Sequence, residues 1–435
     1  MRLLIISLDA AFEEDASFLL SLPNLGALAD RGVFCQRVQT IYPSLTYPVH
    51  TSLLTGCYPD KHGIGHNEKY APNLPANKRP WHWDAQEIQA ETLHQAAWRA
   101  GREVASILWP VSGHNPAVHY NFPEVHALPG ENQTAKVLRY GSFWWLLQSE
   151  LKYGRTREGI NQPHLDRFAA LLAQKLIEKQ YNPHPPKEKA HSVAPSLRQQ
   201  RMHMPDVLTL HLTDLDVVRH QQGTHTEETR AALVRLDQHV GHLMRALEEV
   251  GVLEDTVVAV VSDHGHADVS RVVALDSWLR AQGLPARAQT LGCGAYIRCE
   301  RGDYHAVTEA LLQHQEELRI SQVYTRRQLR QMHAPTDIQL AVEAQEGVEF
   351  VDDLEAPPHR ATHGFGPEHP ASQCLLWMAG PPFLRGARLR AAHVVDIAPT
   401  LAHAVRLELP QAQGRILYEA FQSEVEGKPW PSKPL

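Results

Sequence analysis

The chain has 435 residues, 43% of them hydrophobic and 21% charged, a globular composition long enough for a large α/β domain with insertions. Its 42 Lys and Arg against 49 Asp and Glu give a formal charge of -7. That balance argues against an extended nucleic-acid track but leaves local phosphate recognition open, since bound cations can supply the positive field. No apolar run reaches the ~18 residues of a membrane span, and the five cysteines make neither a disulfide framework nor a Cys-metal motif, so we expect a cytoplasmic chain with reduced thiols and no membrane contact.

The opening MRLLIISLDA meets Asp9 too soon for a signal-peptide core and reads as a first buried strand over 3–8, with Asp9 at its C-terminal edge, where open α/β sheets bind ligands. A helix over 18–29 and a strand over 33–38 follow. The chain then enters IYPSLTYPVHTSLLTGCYPDKHGIGHN, residues 41–67. Tyr42-Pro43 and Tyr47-Pro48 bias their surroundings away from the helical region, which places Thr46 in a tight turn. A helix can begin over 49–54, and its free N–H groups favour an anion. A lone threonine is usually a cap or turn residue, so this reading needs support from elsewhere.

Residues 70–83 read as a loop, 90–99 as a helix and 103–109 as a strand, in the βαβ rhythm of a buried parallel sheet. The stretch 111–138 is irregular, with Trp109, His114, His119, Tyr120 and Phe122 in or beside it, and either shapes a pocket or packs as a loop. Helices are expected over 143–149 and 164–178, and a loop or linker over 181–200. A strand over 206–212 leads into Thr213-Asp214-Leu215-Asp216. A helix over 227–253 precedes the Val- and Ala-rich run 256–261, a central strand that ends in Ser262-Asp263-His264-Gly265-His266. Further strands are expected over 288–299, as two short pieces within 338–351, and over 374–378, with helices over 307–317 and 394–405. The chain reads as one catalytic domain over 1–435, with about 110–200 as an inserted or pocket-forming region.

Three strand edges therefore end in acids. Asp9, Asp216, His220, Asp263, His264 and His363 are hard oxygen or imidazole donors that suit zinc or manganese and need no thiolate. Asp216 and His220, four apart, face one way if the chain between them is helical.

Thr46-Tyr47-Pro48-Val49-His50, Thr55-Gly56-Cys57-Tyr58-Pro59-Asp60-Lys61-His62-Gly63, DVVRHQQG from Asp216, Ser262-Asp263-His264-Gly265 and His363-Gly364-Phe365 resemble the nucleotide pyrophosphatase/phosphodiesterase branch of the alkaline phosphatase superfamily. Asp396-Ile397-Ala398-Pro399-Thr400-Leu401 resembles its late helix signature. The resemblance implies a mostly parallel central sheet flanked by helices, alkaline phosphatase-like, with a smaller inserted cap or lobe. It implies two divalent metal ions, most often zinc: one on Asp216, His220 and His363, the other on Asp9, Asp263, His264 and the Thr46 hydroxyl. Thr46 would be the nucleophile and Asn67 a donor to a nonbridging phosphoryl oxygen, with Tyr47 and Trp109 as substrate-side aromatics. Val49 stands where nucleotide-cleaving relatives commonly have Asn, and His266 where many have Met. The implied activity is hydrolysis of a small-molecule phosphodiester or nucleotide pyrophosphate. A phosphonate hydrolase, using Lys61, Lys69, Arg99 or Arg139 to bind a carboxylate, and a noncatalytic metal- or phosphate-binding protein are the alternatives.

Overall fold

The computed structural model describes residues 1–178, 204–352, 354 and 358–422, and the backbone alone of 424–425 and 428–429. The expected linker over 181–200 lies outside these residues. Six strands come first in the chain: β1 (Arg2–Leu8), β2 (Gly32–Gln39), β3 (Val104–Ile107), β4 (Tyr120–Phe122), β5 (Val207–Leu212) and β6 (Thr256–Val261). Two short strands follow, β7 (Ala267–Asp268) and β8 (Arg271–Val273). Next come β9 (Ala286–Thr290), β10 (Gly294–Cys299), β11 (Ile320–Thr325) and β12 (Leu340–Ala344), then β13 (Val348–Phe350) and β14 (Ala361–Thr362). Then come β15 (Gln373–Ala379), β16 (Ala387–Leu389) and β17 (Ala392–His393), and last the two-residue pair β18 (Glu424–Val425) and β19 (Lys428–Pro429).

The main sheet has the order β16-β2-β15-β6-β1-β5-β3-β4, with β17 also on β2. Only β15 runs against its neighbours. Its centre is where the sequence is continuously apolar, because a strand covered on both faces has no solvent side. In β1, Leu4, Ile6 and Leu8 enter one core and Leu3 and Ile5 the other, the two-residue period of a strand. Helices Pro23–Arg31, His164–Glu178 and Glu227–Glu249 cover the first face; Thr46–Thr55, Leu93–Arg99 and Val394–Ala404 cover the second. Burying each such Leu or Ile contributes roughly 1.5–3 kcal/mol.

A second, antiparallel sheet, β11-β12-β10-β9, has its own core with helices Leu275–Ala281 and Tyr304–Gln313. This is the smaller lobe that accompanies the expected helix-flanked, mostly parallel sheet. It meets the main body at Tyr42, whose buried ring lies 6.1 Å from that of Tyr296 and 5.8 Å from that of Tyr324.

Four local expectations change, the first being that Thr46 lies not in a tight turn ahead of a helix over 49–54 but in the first turn of helix Thr46–Thr55, where Pro48 needs no N–H donor. The helix over 18–29 is two helices, Ala16–Ser21 and Pro23–Arg31, because Leu22 before the proline is extended at φ -79°, ψ 149°. The strand over 288–299 is the hairpin β9–β10, which turns through Gly292 at φ 84°. The irregular stretch over 111–138 contains β4 and the start of helix Gln133–Tyr140.

Candidate active site

The three central strands β6, β1 and β5 lie side by side and parallel, so their C-terminal ends share one edge. Asp9 follows β1 directly, and its N–H donates to the Leu212 carbonyl at the end of β5. Ala10 adopts φ 63°, a turn that points its N–H at Asp263 Oδ1, 3.1 Å away beyond β6. After β5 the chain enters helix Asp214–Gln222, which sets Asp216 and His220 one turn apart on the same side. Arg219 on that helix is fully buried. It donates to the Ala10 carbonyl and to Asp15 Oδ1 and lies over the Phe12 ring, tying the helix to the loop after β1.

Thr46 begins the buried helix Thr46–Thr55. Its Oγ1 lies 3.1 Å from His264 Nε2, while its carbonyl accepts from His50 Nδ1 at 2.8 Å. The Tyr47 N–H, one of the unpaired donors of the helix start, donates to Asn67 Oδ1 at 2.9 Å. An N–H can only donate, so the atom facing it is the amide oxygen, and Asn67 Nδ2 is left as the donor end.

Two groups of donor atoms converge here. One atom each from Asp9, Asp263 and His264 lie within 4.8 Å of one another, and so do one each from Asp216, His264, His266 and His363. His264 and His363 stack with ring centroids 3.9 Å apart. Burial, together with the neighbouring Asp263 and Asp216, holds the Asp9 carboxyl well above its usual range. Burial alone would also raise Asp216, but His220 and His266 outweigh it and hold that carboxyl well below. Burial pushes His264 down to about 3, leaving a neutral ring with a lone pair. Asp9 Oδ1, Asp263 Oδ2, His264 Nδ1 and His266 Nδ1 are buried with no hydrogen-bond partner. Unpartnered carboxylate oxygens and neutral imidazoles in one buried space fit divalent cations, whose charge would offset the desolvation.

A layer beneath the acids went unread in the sequence. His211 Nε2 is 3.0 Å from Asp9 Oδ2, and its Nδ1 faces Glu124 Oε2 at 3.3 Å and the Leu108 carbonyl at 3.1 Å. His50 spans Thr46 and Ser7 Oγ, and its ring lies 4.1 Å from that of His211. His359 contacts Glu349 and packs against His220. The signal for His211 is an ionisable residue near the end of a buried strand whose other polar residue is Thr209.

The substrate-side expectations need correction. Tyr47 and Trp109 are both fully buried. The Tyr47 ring is covered by Trp81 at 5.2 Å, and the Trp109 ring packs on His50 at 4.9 Å, so neither offers a face to a ligand here. Of the cations considered for a carboxylate, Lys69 is paired with Glu87, Arg99 with Glu91, and Lys61 donates to the Gln411 carbonyl.

A family model described as type I phosphodiesterase / nucleotide pyrophosphatase matches residues 3–366. Ectonucleotide pyrophosphatase/phosphodiesterase family member 1 of Homo sapiens is 24% identical over 247 residues, which are 56% of this chain and 21% of that protein. The match thus spans about a fifth of that relative's length. The pyrophosphatase/phosphodiesterase C725.05c of Schizosaccharomyces pombe is 25% identical over 295 residues, 65% of this chain and 49% of that protein. The solved structure of murine ectonucleotide pyrophosphatase / phosphodiesterase 5, inactive and in complex with AMP, superposes with a TM-score of 0.70 at 18% identity, covering 97% of this chain and 100% of that one. These names overturn the cytoplasmic expectation, because the human relative and the murine structure are ectonucleotide enzymes. Sparse cysteines and the lack of a long apolar run are compatible with either side of a membrane. Among the described residues, no helix is long and apolar enough to cross one.

Proposed function

We propose that this chain, which belongs to the type I phosphodiesterase / nucleotide pyrophosphatase family, hydrolyses a phosphodiester or nucleotide pyrophosphate bond with Thr46 as its nucleophile. The observation that carries the reading is the position of Thr46 Oγ1, 3.1 Å from His264 Nε2, where His264 belongs to both groups of donor atoms. Asp9, Asp263, His264 and the Thr46 oxygen would hold one cation, and Asp216, His220 and His363 the other. Zinc is the first candidate for both and manganese the second. When bound, the pair supplies Lewis-acid stabilisation of the attacking and leaving oxygens in an in-line displacement.

The remaining work falls to the chain. Thr46 gives its hydroxyl proton to solvent water and its oxygen bonds to phosphorus, while the leaving oxygen departs with the electron pair of the broken bond and takes up a proton from water. Water then attacks the phosphothreonine phosphorus, the P–O bond to Thr46 breaks with its electron pair going to the Thr46 oxygen, and a proton from the attacking water restores the hydroxyl. Asn67, held by the Tyr47 N–H, presents its amide NH2 to a nonbridging oxygen on which charge develops. His50 anchors the Thr46 carbonyl and so fixes the start of the helix. The AMP in the complex of the murine relative supports a nucleotide as the retained group. Engagement of Lys61, Lys69 and Arg99 in other contacts leaves Arg139 as the remaining candidate for the carboxylate of a phosphonate.

The test is turnover, with Zn2+ or Mn2+ added, on matched phosphomonoester, phosphodiester, nucleotide pyrophosphate and phosphonoacetate substrates. Diester or pyrophosphate turnover that falls by several orders of magnitude in Thr46→Ala is expected. Wild-type-like activity in that variant would reject the nucleophile, and preferential phosphonoacetate turnover would replace the substrate class.

A further inference from the structure

We propose that His266 is a fourth protein ligand at the Asp216 position, so that the cation there is held by Asp216, His220, His363 and His266. This rests on the two-cation reading of the site. Three imidazoles are brought to that position by one short ribbon. Strands β7 and β14 pair antiparallel with Ala361 opposite Asp268 and Thr362 opposite Ala267. One step further along the same register sets His363 opposite His266, and their ring centroids are 5.2 Å apart. His220 docks on the ribbon too, with Nδ1 2.9 Å from the Ala361 carbonyl and its ring 4.5 Å from that of His266.

The direction of the His266 ring is also constrained. Gly265 before it has no room for a side chain, since a Cβ would come within 2.4 Å of Phe12 Cγ and 2.5 Å of the Ala371 carbonyl oxygen. The chain is pinned there, and His266 is 2% exposed. Its Nε2 lies 2.9 Å from Asp216 Oδ1, closer than His220 Nε2 at 3.4 Å. Asp216, His266 and His363 each offer a donor atom within 4.8 Å of the others, as does His264, while His220 joins through its Nε2 contact with Asp216. Three imidazoles and a carboxylate would give this cation four protein donors, and zinc, which can expand to five-coordinate, could still accept a phosphoryl oxygen. The cation at Asp216 should therefore be retained more tightly than the one at Asp9 and Asp263. A hydrogen bond from His266 that merely orients Asp216 is the competing role, and counting imidazole ligands separates the two.

Wild type, His266→Met, His266→Gln and Asp216→Ala are stripped of metal and titrated with Zn2+ against a competing chelator. The same proteins loaded with Co2+ are examined by NMR for hyperfine-shifted imidazole N–H protons. Wild type is expected to bind two ions and to show four such protons, from His220, His264, His266 and His363. Both His266 variants should lose one of these resonances and weaken one ion by more than about 100-fold, beyond the roughly 10–100-fold loss of an outer-shell partner. A full set of resonances in either variant, whatever its affinity, overturns the proposal. If neither variant folds, the wild-type spectrum decides alone, because three imidazole protons instead of four exclude His266. Fewer than two ions in wild type, or two ions retained in Asp216→Ala, would instead sink the two-cation reading itself.

Discussion

Asp9 and Asp263 are carboxylates with almost no solvent around them; burial raises the proton affinity of both, and Asp263 raises that of Asp9 further. Without a cation this arrangement costs stability, because like charges and desolvation act in the same direction. Asp263→Asn should therefore raise the Tm of the metal-stripped protein while lowering its Zn2+ stoichiometry by one. The Asn oxygen can still accept from the Ala10 N–H, so the loop after β1 is kept. Differential scanning calorimetry with and without Zn2+ checks both parts; a lower metal-free Tm in the variant would contradict the repulsion argument.

At the scale of elements, the site depends on two connections that hold separate loops together. One is Arg219, which joins helix Asp214–Gln222 to the loop after β1 through Asp15 and the Ala10 carbonyl. Replacing it with Met preserves much of the volume but leaves Asp15 buried without its partner, a loss of about 3–5 kcal/mol. Arg219→Met should show that loss in urea unfolding and a weakened cation affinity, although Arg219 touches neither donor group. A loss under about 1 kcal/mol would mean that the loop is held by its backbone contacts alone. The other connection is the β7–β14 ribbon, where Gly364 follows His363 at φ 103° with the Leu291 carbonyl too near to admit a Cβ.

Across the whole molecule, stability should depend on buried histidines remote from the site. His62 and His94 are fully buried, and burial pushes both down to about 3. The unfolded chain takes up these protons near pH 6.5. The stability that the neutral rings contribute is therefore full above about pH 6.5 and is lost progressively as pH falls toward about 3. Asp166, pushed up to about 6 by burial, acts in the opposite sense and favours the fold as it protonates. With His66 and His239 pushed down to about 4 and Glu68 pushed up to about 7, four rings outweigh two carboxyls, so the urea midpoint in chelator should drop between about pH 6.5 and about pH 5. His94→Gln should flatten that drop by up to ~1.4 kcal/mol per pH unit, and an unchanged slope would show that His94 is not held neutral.

The sequence by itself determined where the central strands lie along the chain and the acids at their ends. A strand covered on both faces must be continuously apolar, so the first charged residue after it marks the sheet's edge, as with Asp9 after β1 and Asp263 after β6. It also marked Thr46, although the turn expected around it is the first turn of a helix, whose start tolerates Pro48. The tertiary structure alone decided which side chains meet across elements. His211 reaches Asp9 because β5 pairs with β1, and His266 stands beside His363 because β7 pairs with β14 in one register; neither pairing has a local signature. Tyr47 and Trp109 were legible as aromatics near the nucleophile, but their burial depended on Trp81 and His50 packing over them. Burial belongs to the neighbours a side chain acquires on folding, and residues far apart in the chain supply them.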